Sequence, residues 1–298
     1  MKREMTDHRM TLVFYQESPF RGIIDSIKLQ GAILHAFSVL FPGKINGFKR
    51  ALDSGNVAIS SPLPMVDGTT YYHKPCLPLK LDVNSPQEIF LVKKFKKLAF
   101  IKLSHVGRAI EKGYYDHDLI LEIIEQNPTL EDLFQIVEKP GLEIESMTKK
   151  PNLYYKSDFF YTSREFSILL DLSGYTQEIM ACIKFLGDQG ISKRRSLGHG
   201  RFHLKETNES KPPPEHSGTG MRILLSKFIP CTGDMTHVDL NHSYFNIHVM
   251  NGYTSTGTHF GNVRMFTEGS VFSTRQRLQG CLIDFNGQYS INGTPFFM

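Results

Sequence analysis

The stretch that most limits what this chain can fold into is Gly187-Asp188-Gln189-Gly190-Ile191-Ser192-Lys193-Arg194-Arg195-Ser196-Leu197-Gly198-His199-Gly200-Arg201-Phe202. Ahead of it, Ile179, Cys182, Ile183 and Leu186 recur at helical spacing over Thr176 to Leu186. After it, Arg201 to Lys205 alternate as a strand does. The segment therefore joins a helix to a strand. It holds four glycines, four cations and a histidine against a single acid. Glycine takes left-handed backbone conformations without steric cost, and successive amides turned toward one point form an anion nest. With Lys193, Arg194, Arg195 and Arg201 around such a nest, near the amides of Gly198 and Gly200, the matching guest is a chain of phosphates: an RNA backbone. Ser196 and His199 lie within the same turn. The plainer alternative is a solvated basic loop. Against it stand the entropic cost of four glycines and the apolar Leu197 and Phe202, which would anchor the loop on both sides of Gly198-His199-Gly200.

The remainder reads as mixed helix and strand. Met10 to Tyr15 is a strand. Ser26 caps a helix whose stripe is Leu29, Ala32, Ile33, Ala36, Phe37 and Leu40, stopped by Pro42-Gly43. Val57 to Val66 and Thr69 to His73 flank Asp67-Gly68, a hairpin turn. Lys93 to Lys112 forms a second basic zone. Asp116 to Pro151 turns acidic, with helical patterns at Leu119 to Glu125 and Thr129 to Glu138, and reads as an insertion standing off the first domain. Phe166 to Leu172 opens a second strand-helix unit, the one that carries the glycine loop. Thr207 to Gly220 is a polar connection. Met221 to Ile229, Tyr244 to Met250, Val263 to Phe272 and Cys281 to Phe285 read as strands. The expected fold is α+β, in two tandem domains, 1–160 and 161–298, each opening with strand then helix.

Catalytic motifs are missing. There is no phosphate-binding G-x-x-x-x-G-K-[ST], no G-x-S-x-G and no H-E-x-x-H. His237, Asp239 and His242 come nearest to a metal set and read as surface groups. Asp116-His117-Asp118 reads as a polar helix start. No catalytic residue, metal or cofactor is expected. A net charge of +4 confines any nucleic-acid affinity to local patches. The four cysteines, Cys76, Cys182, Cys231 and Cys281, form no C-x-x-C and read as free thiols of a reducing cytoplasm. The N-terminal residues lead into no apolar run, so neither a signal peptide nor a membrane helix is expected.

Taken together, these residues resemble the RAMP superfamily of CRISPR proteins, and within it the fourth-subunit family of type III-A (Csm) effector complexes. The glycine loop Gly190 to Phe202 is similar in length and order to that family's. Ile59-Ser60-Ser61-Pro62-Leu63-Pro64 with Tyr71-Tyr72-His73-Lys74-Pro75 resembles its serine-proline strand and partner hairpin. Arg264-Met265-Phe266-Thr267-Glu268-Gly269-Ser270-Val271-Phe272 resembles its late segment. Three features depart from the pattern. The first helix starts Lys28-Leu29-Gln30-Gly31-Ala32, without the family's polar motif; Ser192 and Lys193 stand where glycines are common; and Ser146-Met147-Thr148-Lys149-Lys150 lacks an arginine.

The resemblance implies two tandem ferredoxin-like (RRM-like) domains with a helical thumb at about 113–151. It implies a non-catalytic subunit that holds the repeat-derived 5′ tag of the guide RNA (crRNA) and joins the large multidomain subunit to a backbone subunit in antiviral defence. The thumb would lie near target RNA. The RNA-binding set is then Arg21, Lys28, Ser60, Ser61, Lys193, Arg194, Arg195, Ser196, Gly198, His199, Gly200 and Arg201, with His73 and Lys74 as further candidates. Three alternatives stand beside this reading: an endoribonuclease of the superfamily using His35 or His199, a scaffold whose loop meets an acidic protein, and the equivalent subunit of a type III-B complex.

Overall fold

A computed structural model describes residues 8–81, 85–144, 150–191, 194–208, 220–252, 259, 261–274, 276–285 and 289–298. In order the elements are β1 (His8–Gln16), α1 (Ser26–Leu40), α2 (Ile45–Asp53), β2 (Val57–Ile59), β3 (Leu63–Val66), β4 (Thr69–His73), α3 (Pro86–Lys97), β5 (Phe100–Lys102) and α4 (Leu103–Lys112). Then come α5 (His117–Gln126), α6 (Leu130–Leu133), β6 (Phe134–Ile144), β7 (Pro151–Tyr161), β8 (Glu165–Leu172), α7 (Thr176–Gln189) and β9 (Phe202–Asn208). The C-terminal part runs β10 (Met221–Ile223), β11 (Val238–Tyr244), β12 (Ile247–Met250), β13 (Val263–Phe266), β14 (Val271–Thr274), β15 (Leu282–Phe285) and β16 (Tyr289–Asn292).

The central sheet has the order β5-β4-β3-β8-β1-β9, with β2 also on β8. Its strands alternate between two cores. Leu12 and Phe14 of β1 and Phe166, Ile168, Leu170 and Leu172 of β8 point to one face, where α1 contributes Leu29, Ile33 and Phe37 and α7 contributes Ile179, Cys182, Ile183 and Leu186. Burying each such side chain stabilises the fold by about 1.5–3 kcal/mol. The helix stripe expected from sequence is the one buried, except that Leu40 is exposed. Asp25, not Ser26, is the cap: its carboxylate accepts the Lys28 N–H. Leu169 of β8 points the other way, into a second core of Leu63, Tyr71, Ile101, Val106, Ile120 and Ile123. Ile223, Leu225, Val271 and Phe296, from beyond the central sheet, complete that second core.

This arrangement corrects the division at residue 160. β8, α7 and β9 do not open a second domain; β8 and β9 flank β1, and α7 packs on α1. With β2 and β3, the order β1-α1-β2/β3-β8-α7-β9 closes one β-α-β-β-α-β unit. The glycine loop thus belongs to the N-terminal unit. Among the described residues after 220 there is no α-helix, only a three-stranded sheet, two hairpins and one 3-10 turn.

The insertion also differs. α5 is not held off the body: Leu119, Ile120 and Ile123 are buried in the second core. The helix expected over Thr129 to Glu138 is one turn, α6, followed by the hairpin of β6 and β7, paired from Phe134↔Tyr161 to Ile144↔Pro151. The projecting element is therefore a β-ribbon. Cys231 and Cys281 are joined as a disulfide, and Cys76 and Cys182 are free; the pair lies 50 residues apart in sequence. Among the described residues, no helix is long and apolar enough to cross a membrane.

Candidate nucleic-acid interface

The glycine loop is a pinched ring. α7 ends at Gly190, with φ +84° and its N–H donating to the Leu186 carbonyl at 2.8 Å. The two stems then meet: Ile191 N–H donates to Gly200 O at 2.9 Å, and Gly200 N–H to Pro19 O at 3.0 Å. A Cβ on Gly200 would stand 1.7 Å from Ile191 O, and one on Gly190 would stand 2.3 Å from His199 O. Only glycine allows that approach. Between the stems Arg194 adopts φ +67°, Arg195–Leu197 make one 3-10 turn, and Gly198 N–H donates back to Arg195 O at 2.9 Å. The amides of Gly198 and Gly200 thus bond within the protein, which corrects the expectation that they clamp phosphates. What the ring presents outward is side chains. Arg194, Arg195, Ser196 and Arg201 are exposed. Arg201 is set in place by its backbone, its N–H donating to Ser18 Oγ at 2.8 Å. Leu197 is 70 % exposed and anchors nothing. Phe202 is buried edge-on against Phe14. Ser192 and Lys193 lie outside the described residues.

A wall with no counterpart among the sequence candidates faces the ring: the root of the β6–β7 ribbon. Asp158 is buried on β7, with Lys139 Nζ at 2.9 Å, Arg21 Nη1 at 3.4 Å and His199 Nδ1 at 3.8 Å. Arg21 Nη1 also donates to Ser157 O at 3.0 Å. Phe20 and Phe159 exchange two backbone hydrogen bonds of 2.9 Å, and Gln16 bridges to Phe159 O and the Tyr161 N–H. So Arg21 holds the ribbon beside the ring, and His199 faces the same carboxylate. Further out, Arg194 Nη2 reaches Tyr154 Oη at 3.5 Å. Lys156, then Arg194, hold the Tyr154 phenol below its ordinary pKa by hydrogen bonding to it. The outcome is a strip of Arg195, Arg194, Tyr154, Lys156 and Lys139 with an aromatic in its middle. Single-stranded nucleic acid is bound by this combination of cations along the backbone and a ring for a base. The signal was the run Leu153-Tyr154-Tyr155-Lys156 and Phe159-Phe160-Tyr161, rich in strand-forming aromatics.

Five of the expected residues are engaged within the protein. Ser60 Oγ donates to Ser61 O and accepts from Leu169 N–H. Ser61 Oγ donates to Glu268 Oε1 and accepts from Ser26 N–H. Both serines are buried, so they join segments of the fold and are not open to RNA. Lys28 is exposed, but its Nζ donates to Ile23 O at 2.7 Å. His73 is desolvated to a pKa of about 4, beside Phe100. Lys74 turns onto the Phe95 ring, 4.0 Å from its centroid, where burial pulls it to about 8. His35 is exposed on α1, and His199 faces Asp158 from the glycine ring. Asp116 caps α5 and pairs with Lys112, while His242 pairs with Asp239. The described residues contain no cluster of three metal-ligating side chains.

No protein-family model matches the sequence, and neither does any curated protein. Solved structures do match the fold. A chain of the Csm3-Csm4 subcomplex in the type III-A CRISPR-Cas interference complex aligns over 97 % of this chain and 98 % of its own, at 19 % identity and a TM-score of 0.62. A chain of a Csm1-Csm4 cassette in complex with cA4 aligns over 97 % of both, at 16 % identity and the same TM-score. A type III-B Cmr-beta complex bound to cognate target RNA gives a TM-score of 0.51 at 10 % identity, over 88 % of this chain and 85 % of that one. Csm4 is the component shared by the two type III-A assemblies, and over nearly its whole length the chain has the fold found there.

Proposed function

We propose that this chain is a RAMP-type subunit of a type III-A CRISPR effector, with no catalytic step of its own, and that it holds the 5′ repeat-derived tag of the guide RNA. The observation that carries this reading is the strip formed where the pinned glycine ring meets the ribbon root: exposed Arg194 and Arg195 beside Tyr154, Lys156 and Lys139. The cations set the phosphate path and Tyr154 offers a stacking face, worth about 1–3 kcal/mol per base. The agreement in fold with type III-A chains along nearly the full length supports the same assignment. In this reading the partners are the large subunit and a backbone subunit, the ribbon of β6 and β7 is the thumb near target RNA, and the two cores are the counterparts of the family's two ferredoxin-like domains. The site of action is the cytoplasm.

The test is fluorescence anisotropy of a guide RNA with intact or scrambled tag, across a salt series, with and without the large subunit. The intact tag binds more tightly, and Arg194→Glu with Arg195→Glu weakens binding and lowers the salt slope by about one for each phosphate no longer neutralised. Equal binding of both RNAs by the assembled protein, unchanged in the double variant, would sink the proposal and favour a protein-binding loop. Metal-independent cleavage of repeat RNA, abolished in His35→Ala or His199→Ala, would move the reading to an endoribonuclease.

A further inference from the structure

The second basic zone of the sequence, Lys93 to Lys112, contributes nothing to the strip, and it begins on α3. α3 leads into β5, the outermost strand of the central sheet at the end opposite β9. Five strand spacings of about 4.8 Å set that edge about 24 Å from the edge where the glycine ring joins β9. α3 is therefore a separate surface, and what is inferred from it does not rest on the tag-binding reading. Its inner side is that of an ordinary amphipathic helix. Ser85 and Glu88 form a capping box, so the one acid of the helix is engaged at its start. Phe95 is buried edge-on against Tyr115, and Leu91 packs on the second core. The outer side is different. Phe90 is 59 % exposed and Ile89 46 %, and Lys93, Lys94, Lys96 and Lys97 are all exposed. Positions 90, 93 and 97 share one stripe of a helix, so a ring and two cations face solvent in line. Lys94 Nζ stands beside them, 4.8 Å from the Phe90 centroid.

The fold itself does not call for these lysines. Cations favour a helix C-terminus because its last carbonyls are unsatisfied, but here the Phe95 carbonyl already accepts from Lys74 Nζ and from the Leu98 N–H. Among the described residues none of the four has a carboxylate partner, whereas Arg108 and Lys112 of the neighbouring α4 pair with Glu122 and Asp116. Lys93 and Lys97 lie at i,i+4, and Lys93 with Lys96 and Lys94 with Lys97 at i,i+3, spacings at which like charges destabilise a helix. A polyanion laid along the stripe removes that repulsion. The exposed ring decides which polyanion. Unpaired bases stack on an aromatic face beside cations that follow the backbone, while the bases of a duplex are stacked on one another. A protein partner would have to bring carboxylates and an apolar socket together; single-stranded RNA brings a phosphate and a base in every nucleotide. Lysine ammoniums meeting phosphates carry no sequence information.

We propose that the outer face of α3 is a second contact for single-stranded RNA, independent of sequence, with phosphates on Lys93, Lys94 and Lys97 and a base on Phe90. Fluorescence anisotropy of a labelled oligouridylate with the full chain carrying Arg194→Glu and Arg195→Glu isolates α3 from the strip. That chain retains salt-sensitive binding. Adding Lys93→Gln with Lys97→Gln weakens it by about tenfold or more and lowers the slope of log K against log salt by about 0.7 for each lysine removed. Adding Phe90→Ala instead weakens it by about fivefold or more and leaves the slope unchanged. Ultraviolet crosslinking of the bound uridines places the adduct within 86–97. All three substituted positions are exposed, so melting temperature and circular dichroism stay those of the parent. Absence of binding in the Arg194→Glu, Arg195→Glu chain, binding there that neither α3 variant moves, or crosslinks confined to residues outside 86–97 would overturn the proposal. Duplex RNA bound as tightly as the single strand would overturn it too. So would displacement of the RNA by polyglutamate at equal charge with Phe90→Ala silent, which would make α3 a face for an acidic protein. Tag discrimination is read with Arg194 and Arg195 intact, so its failure and failure here are separate results.

Discussion

Gly190 and Gly200 both have positive φ and no room for a Cβ. Gly198 also has φ +82°, but open space lies where its Cβ would be. Gly200→Ala should therefore destabilise the chain by at least about 2 kcal/mol, combining strain with a clash, whereas Gly198→Ala costs about 1 kcal/mol from backbone strain alone. Thermal unfolding of the two variants side by side checks the order; equal losses would contradict the pinched ring. Ser60 and Ser61 show the opposite case. A serine at a strand end serves a phosphate or a carboxylate equally well, and only the long-range approach of Glu268 decides the matter. The amide of Gly200 escapes a sequence reading for the same reason, since its acceptor, Pro19 O, is set by tertiary closure, whereas Gly198 N–H is taken up by Arg195 O within one local 3-10 turn.

Among the elements, α1, α7 and the Asp67-Gly68 hairpin were readable because each is fixed by its own periodicity or turn. The ribbon was not. Thr129 and Asp132 do form a capping box, which reads as the start of a long helix. Phe134, Ile136 and Val137 then favour strand, and pairing with Pro151–Tyr161 prevails after one turn. The same pairing brings Asp158 to Arg21, Lys139 and His199. Asp158→Asn leaves Arg21 and Lys139 without their carboxylate, at a cost of about 3 kcal/mol or more for a buried ion pair broken on one side. Hydrogen exchange should show the root of the ribbon, 134–137 and 158–161, losing protection first. Unchanged exchange there would remove Asp158 as the tie between ribbon and ring.

For the whole molecule, the two-domain division failed because β8 serves both cores, and no local pattern reports which face each residue will meet. The junction has a pH signature. Burial lowers His73 from 6.5 to about 4, against the opposing pull of Glu268. Burial raises Glu268, but the charges of His73 and Lys227 and the Ser61 hydrogen bond outweigh it, so its pKa ends below the ordinary value. The unfolded chain protonates the imidazole near 6.5 and the folded chain only near 4, so stability is lost as pH falls through that window, on the order of 3 kcal/mol for His73. The contribution of the depressed Glu268 disappears in the same direction. His73→Gln should flatten the fall in melting temperature between pH 6.5 and 4; an unchanged slope would place the acid sensitivity elsewhere. The pairing of Leu12 with Ile168 has one more consequence, for synthesis on the ribosome. β1 cannot find its neighbour β8 until more than 150 further residues have been added, roughly 10 to 30 s at ordinary elongation rates. For that interval Leu12 and Phe14 are unburied in a nascent chain, and the helices that will cover them have no sheet to dock on. The shorter the time taken to reach β8 and β9, the less Leu12 and Phe14 are exposed to aggregation, so the yield of folded protein should depend on the pace of synthesis through that stretch.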